Sequence, residues 1–425
     1  MKMINAMTAL TASAISRGNR NRQLRRINKT NIKNRNIRNL GCVTKESLFP
    51  EKSFVGNVCL SGNDYSSRND LFIHTLKQAV SVGETVIVLH EGDYQLEADL
   101  ANAFYSVNYL RFINSNNPYY DPIFRLDDSR IISLILSSSL KDHQISDKGI
   151  LYLRGLLMLL RKTSITPYLN KLLTCPHDRI QNIILSAEQS GVLSVDDAVE
   201  IRNNIDEGKE ARPSIEYMFS ELSNMSSSII SNKTQLLRST SVIECVRHNG
   251  ILVIDVGSMS NKALLSLIVA EINMIKKSNK YIRIAVSADS VMESEAMKDL
   301  LKSASKWVGF TISTKNIGSF SGTDRSELET FLALSQKAIM FSHGVRSAEL
   351  LSSELGEYDF IEAHCTRGGN TGLGGFGLLF GSNNAIKPEH KRERVVKAEE
   401  IEHLNEREFI MLDNSRGELY AGKLK

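Results

Sequence analysis

The chain has 425 residues, of which 42% are hydrophobic and 24% charged, as in soluble globular proteins with two or three domains. It contains no run of about 18 uncharged apolar residues, so we predict no transmembrane helix and a cytoplasmic location. The five cysteines show no pairing rhythm and no zinc-site spacing with histidine. The sequence therefore argues against an integral membrane protein and a disulfide-stapled domain, and it predicts no metal site.

The charge of the chain is concentrated at its start. The first 45 residues hold eleven Lys and Arg and no acid, which leaves 41 basic and 48 acidic residues in the remainder, a net charge of −7. Asparagines alternate with the basic residues and apolar residues are sparse, so we predict a disordered tail over residues 1–45. A nucleic-acid-binding arm and a solubilising tail both remain open. The basic residues of this candidate interface are Arg17, Arg20, Arg22, Arg25, Arg26, Lys29, Lys33, Arg35 and Arg38.

The rest of the chain alternates strand and helix patterns around one helical region. Thr85–His90 (TVIVLH) is typical of a strand buried on both faces. Residues 126–240 carry only helical patterns and predict an all-α domain. It interrupts an α/β domain formed by residues 46–125 and 241–425, whose βαβ order predicts a parallel sheet. The predicted strands are 54–60, 85–90, 110–113, 251–256, 282–287, 310–313, 338–341 and 409–412.

The first strand of this domain is followed by a turn where a phosphate loop would lie. On the pattern G-x-x-x-x-G-K-[ST] only Gly62 matches. Ser67 stands at the second glycine, where its Cβ crowds an approaching phosphate. Arg68 replaces the lysine with a planar fork, and Asn69 replaces the hydroxyl that holds Mg²⁺. From this segment alone, an ordinary strand–helix turn is the favoured interpretation.

The order of segments over about residues 54–425 resembles a known family. A phosphate-loop position is followed by an acid-bearing strand, by Asn117-Pro118, by an all-α interruption and by the strand Ile282–Ser287. Residues 394–410, near the end of the chain, read RVVKAEEIEHLNEREFI. This order is similar to that of type IV secretion and conjugation coupling proteins of the TraG/TraD type, in the FtsK–HerA branch of RecA-like ATPases. The resemblance implies a RecA-like α/β nucleotide-binding fold interrupted by an all-α domain.

The resemblance also identifies what the chain has lost. Ser287 and Ala288 occupy the positions of the family's Asp-Glu pair, which would hold Mg²⁺ and activate water. Lys315 or Asn316 stands at the sensing glutamine. Phosphate ligands, metal and activated water act as a unit, so losing several removes nearly all of the rate.

Two aspartates are possible displaced acids. Asp289 lies just beyond Ala288, and Asp255 ends the strand Ile251–Val256. For Asp255, the capping of the next turn is the favoured role. The glycine-rich stretch 368–377 lacks the strand and helix of a phosphate cradle, so a loop or hairpin is favoured there.

These residues predict a non-catalytic pseudo-ATPase of a type IV secretion or conjugation system. It would use no cofactor and would bind secretion subunits or an active coupling protein, reaching the inner membrane through them, and DNA through residues 1–45. An active, divergent DNA-translocating ATPase with ATP and Mg²⁺ is the first alternative. A DNA-binding structural protein acting through the basic tail is the second.

Overall fold

The computed structural model describes residues 20–50, 56–257, 261–275, 280–303, 307–318, 325–368 and 383–425. Within these ranges the chain forms two compact units, one of residues 43–339 and one of the described residues up to Cys42 together with residues 340–425. The two units are described separately below.

The strands are numbered in chain order. They are β1 (Ile37–Val43), β2 (Val58–Ser61), β3 (Thr85–His90), β4 (Leu110–Ile113), β5 (Ile251–Asp255), β6 (Ile282–Ser287), β7 (Val308–Thr314), β8 (Lys337–Met340), β9 (Glu357–Gly368), β10 (Asn383–Arg394), β11 (Glu408–Asp413) and β12 (Glu418–Leu424).

The helices are numbered in the same way, beginning with α1 over residues 20–35. They continue with α2 (Lys45–Leu48), α3 (Tyr65–Ser81), α4 (Tyr94–Ala103), α5 (Asp128–Ser137), α6 (Gly149–Lys162), α7 (Leu169–Leu173), α8 (Ile180–Gln189), α9 (Val195–Glu207), α10 (Arg212–Ser226), α11 (Val242–Arg247), α12 (Lys262–Ile275), α13 (Glu295–Lys302), α14 (Arg325–Leu334), α15 (Val345–Glu354) and α16 (Ala398–Glu402). None of these described helices combines the length and apolarity needed to cross a bilayer.

The unit of residues 43–339 is built on a sheet with the strand order β8-β2-β7-β6-β3-β5-β4. The pairs β2–β7, β7–β6, β6–β3, β3–β5 and β5–β4 are all parallel. All six residues of β3 are buried, because helices cover both faces of a parallel sheet. The predicted α/β fold class with a parallel sheet is confirmed. The carboxyl ends of β2, β7, β6, β3 and β5 therefore lie side by side along one edge of the sheet.

The segment between β4 and β5 contains helices α5 to α11 and no strand longer than an isolated bridge. Two backbone hydrogen bonds close the base of this segment, which we call its neck. Tyr120 N–H donates to Ile229 O at 3.0 Å, and Asp121 N–H donates to Thr240 O at 2.9 Å. Tyr120 is fully buried, so an all-α insertion joins the sheet through a closed, hydrogen-bonded connection.

The start of β6 carries an ion pair inside the sheet unit. Arg283 is 0% exposed, and its Nε and Nη2 donate to the two carboxylate oxygens of Glu84 at 2.5 and 3.0 Å. A further guanidinium N–H donates to Phe310 O at 3.2 Å. The charge is thus paired in a bidentate fork and hydrogen-bonded to a neighbouring strand, as a buried charge requires.

In the other unit, β11 pairs antiparallel with β12, β1 lies beside β12, and β9 and β10 form a separate antiparallel hairpin. The glycine-rich stretch falls almost wholly in residues 369–382, outside the described residues. The sequence grouped all of 241–425 with the parallel sheet. The structure instead clusters residues 340–425 with the N-terminal segment.

The prediction of a disordered tail is wrong for residues 20–43, which form α1 and β1. Asn31 is buried, and its amide pairs with both the carbonyl and the N–H of Ile361 on β9, at 3.0 and 2.9 Å. Arg35 forms an ion pair with Glu400, and Arg38 pairs with Glu418 at 2.5 Å. These partners lie more than 300 residues away in sequence, so they are invisible to local propensity and override it.

Candidate functional site

The turn after β2 has only three residues, 62–64, before α3 begins. Gly62 has φ of +124°, a conformation that only glycine adopts readily, and its N–H donates to Thr314 O at 3.1 Å. The turn is thereby fixed to the end of β7. Ser67, Arg68 and Asn69 accordingly lie within the first turns of α3 and not in a loop.

Asp64 is the N-cap of α3, and its Oδ1 accepts a hydrogen bond from the Ser67 N–H at 3.0 Å. The first N–H groups of a helix are the usual ligands of a phosphate at such a position. Here a carboxylate of the chain itself takes the amide at the position of the second glycine. An approaching phosphate would have to displace an anion that is covalently tethered beside it.

Arg68 points back toward the sheet instead of outward. It is 6% exposed, and its Nη1 donates to Ser313 Oγ on β7 at 2.7 Å. Burial lowers the pKa of Arg68, and the charge of Asp289 is the largest of the opposing effects that raise it. No described atom forms a hydrogen bond with its Nε. The guanidinium that replaces the phosphate-loop lysine is thus hydrogen-bonded to β7 and interacts with the charge of Asp289.

Asn69 is engaged as well. Its Nδ2 donates to Asp99 Oδ2 on α4 at 2.7 Å, so the side chain joins two helices of the same unit. Tyr65, next to the cap, donates through its hydroxyl to Asp93 Oδ2 at 3.0 Å. The side chains of Asn69 and Tyr65 are therefore both hydrogen-bonded to aspartates of the same unit.

Ser287 ends β6 and Ala288 follows it at the same edge of the sheet, and neither supplies a carboxylate. Asp289, the next residue, does reach the edge, where its Oδ1 accepts from Thr314 Oγ1 at 2.5 Å. Of the two candidate acids, Asp289 is therefore the one that lies near Arg68 and the end of β7.

Asp255 lies at the end of β5, which is separated from β6 by β3. Its Oδ1 accepts from the N–H groups of Gly92 and Gly257, at 2.9 and 3.0 Å. This carboxylate closes two turns, the role that the sequence favoured for it. Asn316 also forms a turn, because its Oδ1 accepts from Gly318 N–H at 3.0 Å while its own N–H donates to Thr314 Oγ1 at 3.2 Å.

One residue of this edge was missed by sequence reasoning. His90 ends β3, is fully buried, and lies between Asp255 and Ser287 in the register of the sheet. Its Nδ1 accepts from Asp93 N–H at 3.2 Å, and its Nε2 lies 3.2 Å from Glu97 Oε1. Burial lowers its pKa, opposed by the surrounding carboxylates. The available signal was a polar residue closing an otherwise apolar strand.

The candidate nucleic-acid interface is part of a helix, apart from Arg38 on β1 and Arg17, which lies outside the described residues. On α1 the exposed cations Arg22, Arg26, Lys29 and Lys33 recur at the i, i+4, i+7, i+11 spacing of one helix face. Asn31 and Arg35 lie on the opposite face, where they contact β9 and Glu400. Arg22, Arg26, Lys29 and Lys33 therefore form an ordered row on one face of α1, which we call the basic stripe.

Searches for related proteins found no matching family model and no curated relative. Among solved structures, the chain is similar to the bacterial conjugative coupling protein TrwB lacking 70 N-terminal residues. The trigonal form in complex with sulphate has a TM-score of 0.51 and 13% identity, covering 92% of this chain and 94% of that one. The unbound monoclinic form has a TM-score of 0.50 and 13% identity, with 87% and 84% covered. A complex of TrwB with the GTP analogue GDPNP gives 0.50 and 13%, with 87% and 85% covered. These similarities show a RecA-like nucleotide-binding fold of the coupling-protein type.

Proposed function

We propose that this chain is a catalytically inactive, coupling-protein-like component of a type IV secretion or conjugation apparatus, which recruits substrate or a partner subunit. The observation that carries the proposal is the turn after β2, on a fold like that of the conjugative coupling protein TrwB. There the Asp64 carboxylate accepts the Ser67 amide, and the buried Arg68 is bound to Ser313.

Several missing groups support the loss of catalysis together. Mg²⁺ would need a hydroxyl after the lysine position and a carboxylate at the end of β6, where the chain has Asn69 and Ser287. An activated water would need the acid replaced by Ala288. ATP and Mg²⁺ belong only to the alternative of a divergent ATPase. That enzyme would have to free Asp289 from Thr314 or Asp255 from two turns before either could act.

The purified chain is expected to hydrolyse no ATP, with or without DNA, because phosphate ligands, metal ligand and activated water are lost together. The measurement is phosphate release over hours with Mg²⁺. Asp289→Ala and Asp255→Ala serve as matched variants at the two candidate acids. A turnover of about 1 s⁻¹ is an ordinary low enzyme rate. Such a turnover, if it disappears in either variant, would establish the divergent ATPase instead.

The recruitment role is tested by affinity purification of the full chain from its host. The body and the N-terminal segment have opposite charge, which favours charge-complementary partners. Recovery of secretion or conjugation subunits, such as a coupling protein with an intact phosphate loop, supports the proposal. Recovery of the chain alone, as a hexamer that threads DNA, contradicts it.

A second candidate function, binding of nucleic acid, is favoured by the basic stripe. Its four cations are exposed and form no ion pair with any residue that the structure describes. At a rise of about 1.5 Å per residue the stripe is about 16 Å long. A stripe of this length can place several cations along one phosphate backbone. Because it lies on a helix, no unfolded tail has to become ordered on binding.

Changing Arg22, Arg26, Lys29 and Lys33 together to glutamine is expected to weaken DNA binding strongly and to reduce the slope of log K against log[salt] by about 3 to 4, since each phosphate contact contributes about 0.7 to 0.9. Fluorescence anisotropy at several salt concentrations measures both. Arg38→Gln is the matched control, because that cation is already paired with Glu418. An unchanged slope in the fourfold variant would move the binding site elsewhere on the chain.

A further inference from the structure

The β9–β10 hairpin places two glutamates face to face. Glu362 and Glu389 are direct partners in the antiparallel register. Like charges directly opposite each other on a sheet are destabilising unless a cation lies between them. His364, two residues along β9, projects from the same face because side chains alternate along a strand. Two carboxylates and one imidazole thus converge on one spot.

Two of the separations within this cluster fall in the range found between ligands of one metal ion. His364 Nε2 lies 3.0 Å from Glu389 Oε2 and 3.4 Å from Glu362 Oε2. One ligand atom from each of the three residues lies within 4.8 Å of the other two. Ligands held about 2.0 to 2.2 Å from a metal stand about 3.0 to 3.5 Å apart in octahedral or tetrahedral geometry. The three ligand atoms, all within 4.8 Å of one another, would close to these separations around an ion by side-chain rotation.

We propose that Glu362, His364 and Glu389 form a binding site for a divalent transition-metal ion of the Zn²⁺ class. The imidazole selects Zn²⁺ and its neighbours in the series over Mg²⁺ and Ca²⁺, which prefer oxygen ligands alone. Three protein ligands leave the remaining coordination positions to water. Glu362 and His364 are on β9 and Glu389 is on β10, so the ion cross-links the two strands.

Lys391 is the competing cation. Its Nζ forms an ion pair with Glu362, from the position two residues beyond Glu389 on the same face. A bound metal takes over the neutralising role from this flexible side chain. Removing Lys391 is therefore expected to strengthen metal binding.

The test is calorimetric titration of the full chain with Zn²⁺, in a Cys42→Ser background because the Cys42 thiol is exposed. One ion is expected to bind, and Mg²⁺ at the same concentration is not expected to compete. His364→Ala and Glu389→Gln are each expected to weaken binding at least tenfold, and Lys391→Ala to strengthen it. His390→Ala is the matched control. That histidine is on the same hairpin, 2.9 Å from Asp359, and its side chain points from the other face.

The three ligand side chains are half-buried or exposed, so the variants are expected to retain the fold, which unchanged circular dichroism verifies. Binding lost in His364→Ala and kept in His390→Ala supports the site. The site is refuted if zinc binds no more tightly than about millimolar. It is equally refuted if the two histidine variants lose affinity alike.

Discussion

Glu84→Ala is expected to lower the free energy of unfolding by about 3 to 5 kcal/mol, the largest effect we expect from any single change in the sheet unit. The substitution leaves the guanidinium of Arg283 at 0% exposure without its bidentate partner. The remaining bonds to backbone carbonyls do not neutralise the charge. Most of the loss is therefore the cost of an unpaired buried ion.

Urea unfolding measured by the fluorescence of Trp307, the single tryptophan, reports on this part of the sheet directly. The carbonyl of Trp307 accepts the N–H of Ile282, the residue next to Arg283. Glu210→Ala is the control. Its pair with Lys148 is of similar length, 2.8 Å, but the two side chains are 74% and 53% exposed. A solvated pair of this kind contributes about 1 kcal/mol or less.

The double variant Glu84→Ala/Arg283→Met distinguishes the cost of leaving a buried charge unpaired from the loss of the ion-pair interaction itself. Removing both ions is expected to recover part of the stability that Glu84→Ala loses, because the hydrophobic side chain carries no desolvation cost. A Glu84→Ala effect no larger than that of Glu210→Ala would show that water reaches the pair.

The strands of the parallel sheet were the most predictable part of the fold. Thr85–His90 and Leu110–Ile113 have the predicted bounds, and Ile251–Asp255 differs by one residue. Continuous apolar, β-branched runs are local signals, and burial on both faces leaves few other ways to satisfy them.

The other unit was predictable only in part, because its contacts are not local. The hairpin strands β9 and β10 carry charged residues on both faces, so neither showed the alternation that predicts a strand. The helix α1 contains few apolar residues and is held by polar contacts, such as those of Asn31 with Ile361. Nothing near Asn31 in the sequence identifies that partner.

For the candidate site, the sequence identified the positions and the structure distinguished between them. Asp255 and Asp289 were both candidate displaced acids, with turn capping favoured for Asp255, and the strand order now separates the end of β5 from that of β6 by β3. The direction of Arg68 and the capping by Asp64 also depend on how α3 sits on the sheet. A motif comparison shows which residues are replaced, but it does not show what occupies the vacated ligand positions.

The neck of the helical insertion contains a buried acid outside the candidate site. Glu271 on α12 is fully buried, and its carboxylate accepts from Tyr120 Oη at 2.7 Å and from Ile243 N–H at 3.2 Å. Burial raises its pKa from 4.5 to about 7, against these hydrogen bonds, which lower it. The folded chain therefore holds a proton on Glu271 at pH values where the unfolded chain has released it.

The pH dependence follows from that difference. A group whose pKa is higher in the folded state stabilises most below its unfolded pKa, and that stability is lost as the pH rises through the folded value. For Glu271 the window is about pH 4.5 to 7, and its contribution falls by about 3 kcal/mol across it, at 1.36 kcal/mol per unit of pKa. Asp121, whose pKa burial raises to about 6, acts in the same direction.

Glu271→Gln isolates this contribution, because the amide does not titrate. Unfolding by urea is measured at pH 5 and pH 8 in both proteins, and Glu210→Gln is the exposed control. The amide introduces a constant offset, since an NH2 group replaces one of the two oxygens that accept from Tyr120 and Ile243. Relative to the wild type, the variant is nonetheless expected to gain about 2.5 kcal/mol between pH 5 and pH 8, because part of the contribution of Glu271 is already lost at pH 5. An offset that is the same at both pH values would mean that Glu271 is ionised in the folded chain at pH 5. Hydrogen bonding at the neck would then outweigh burial.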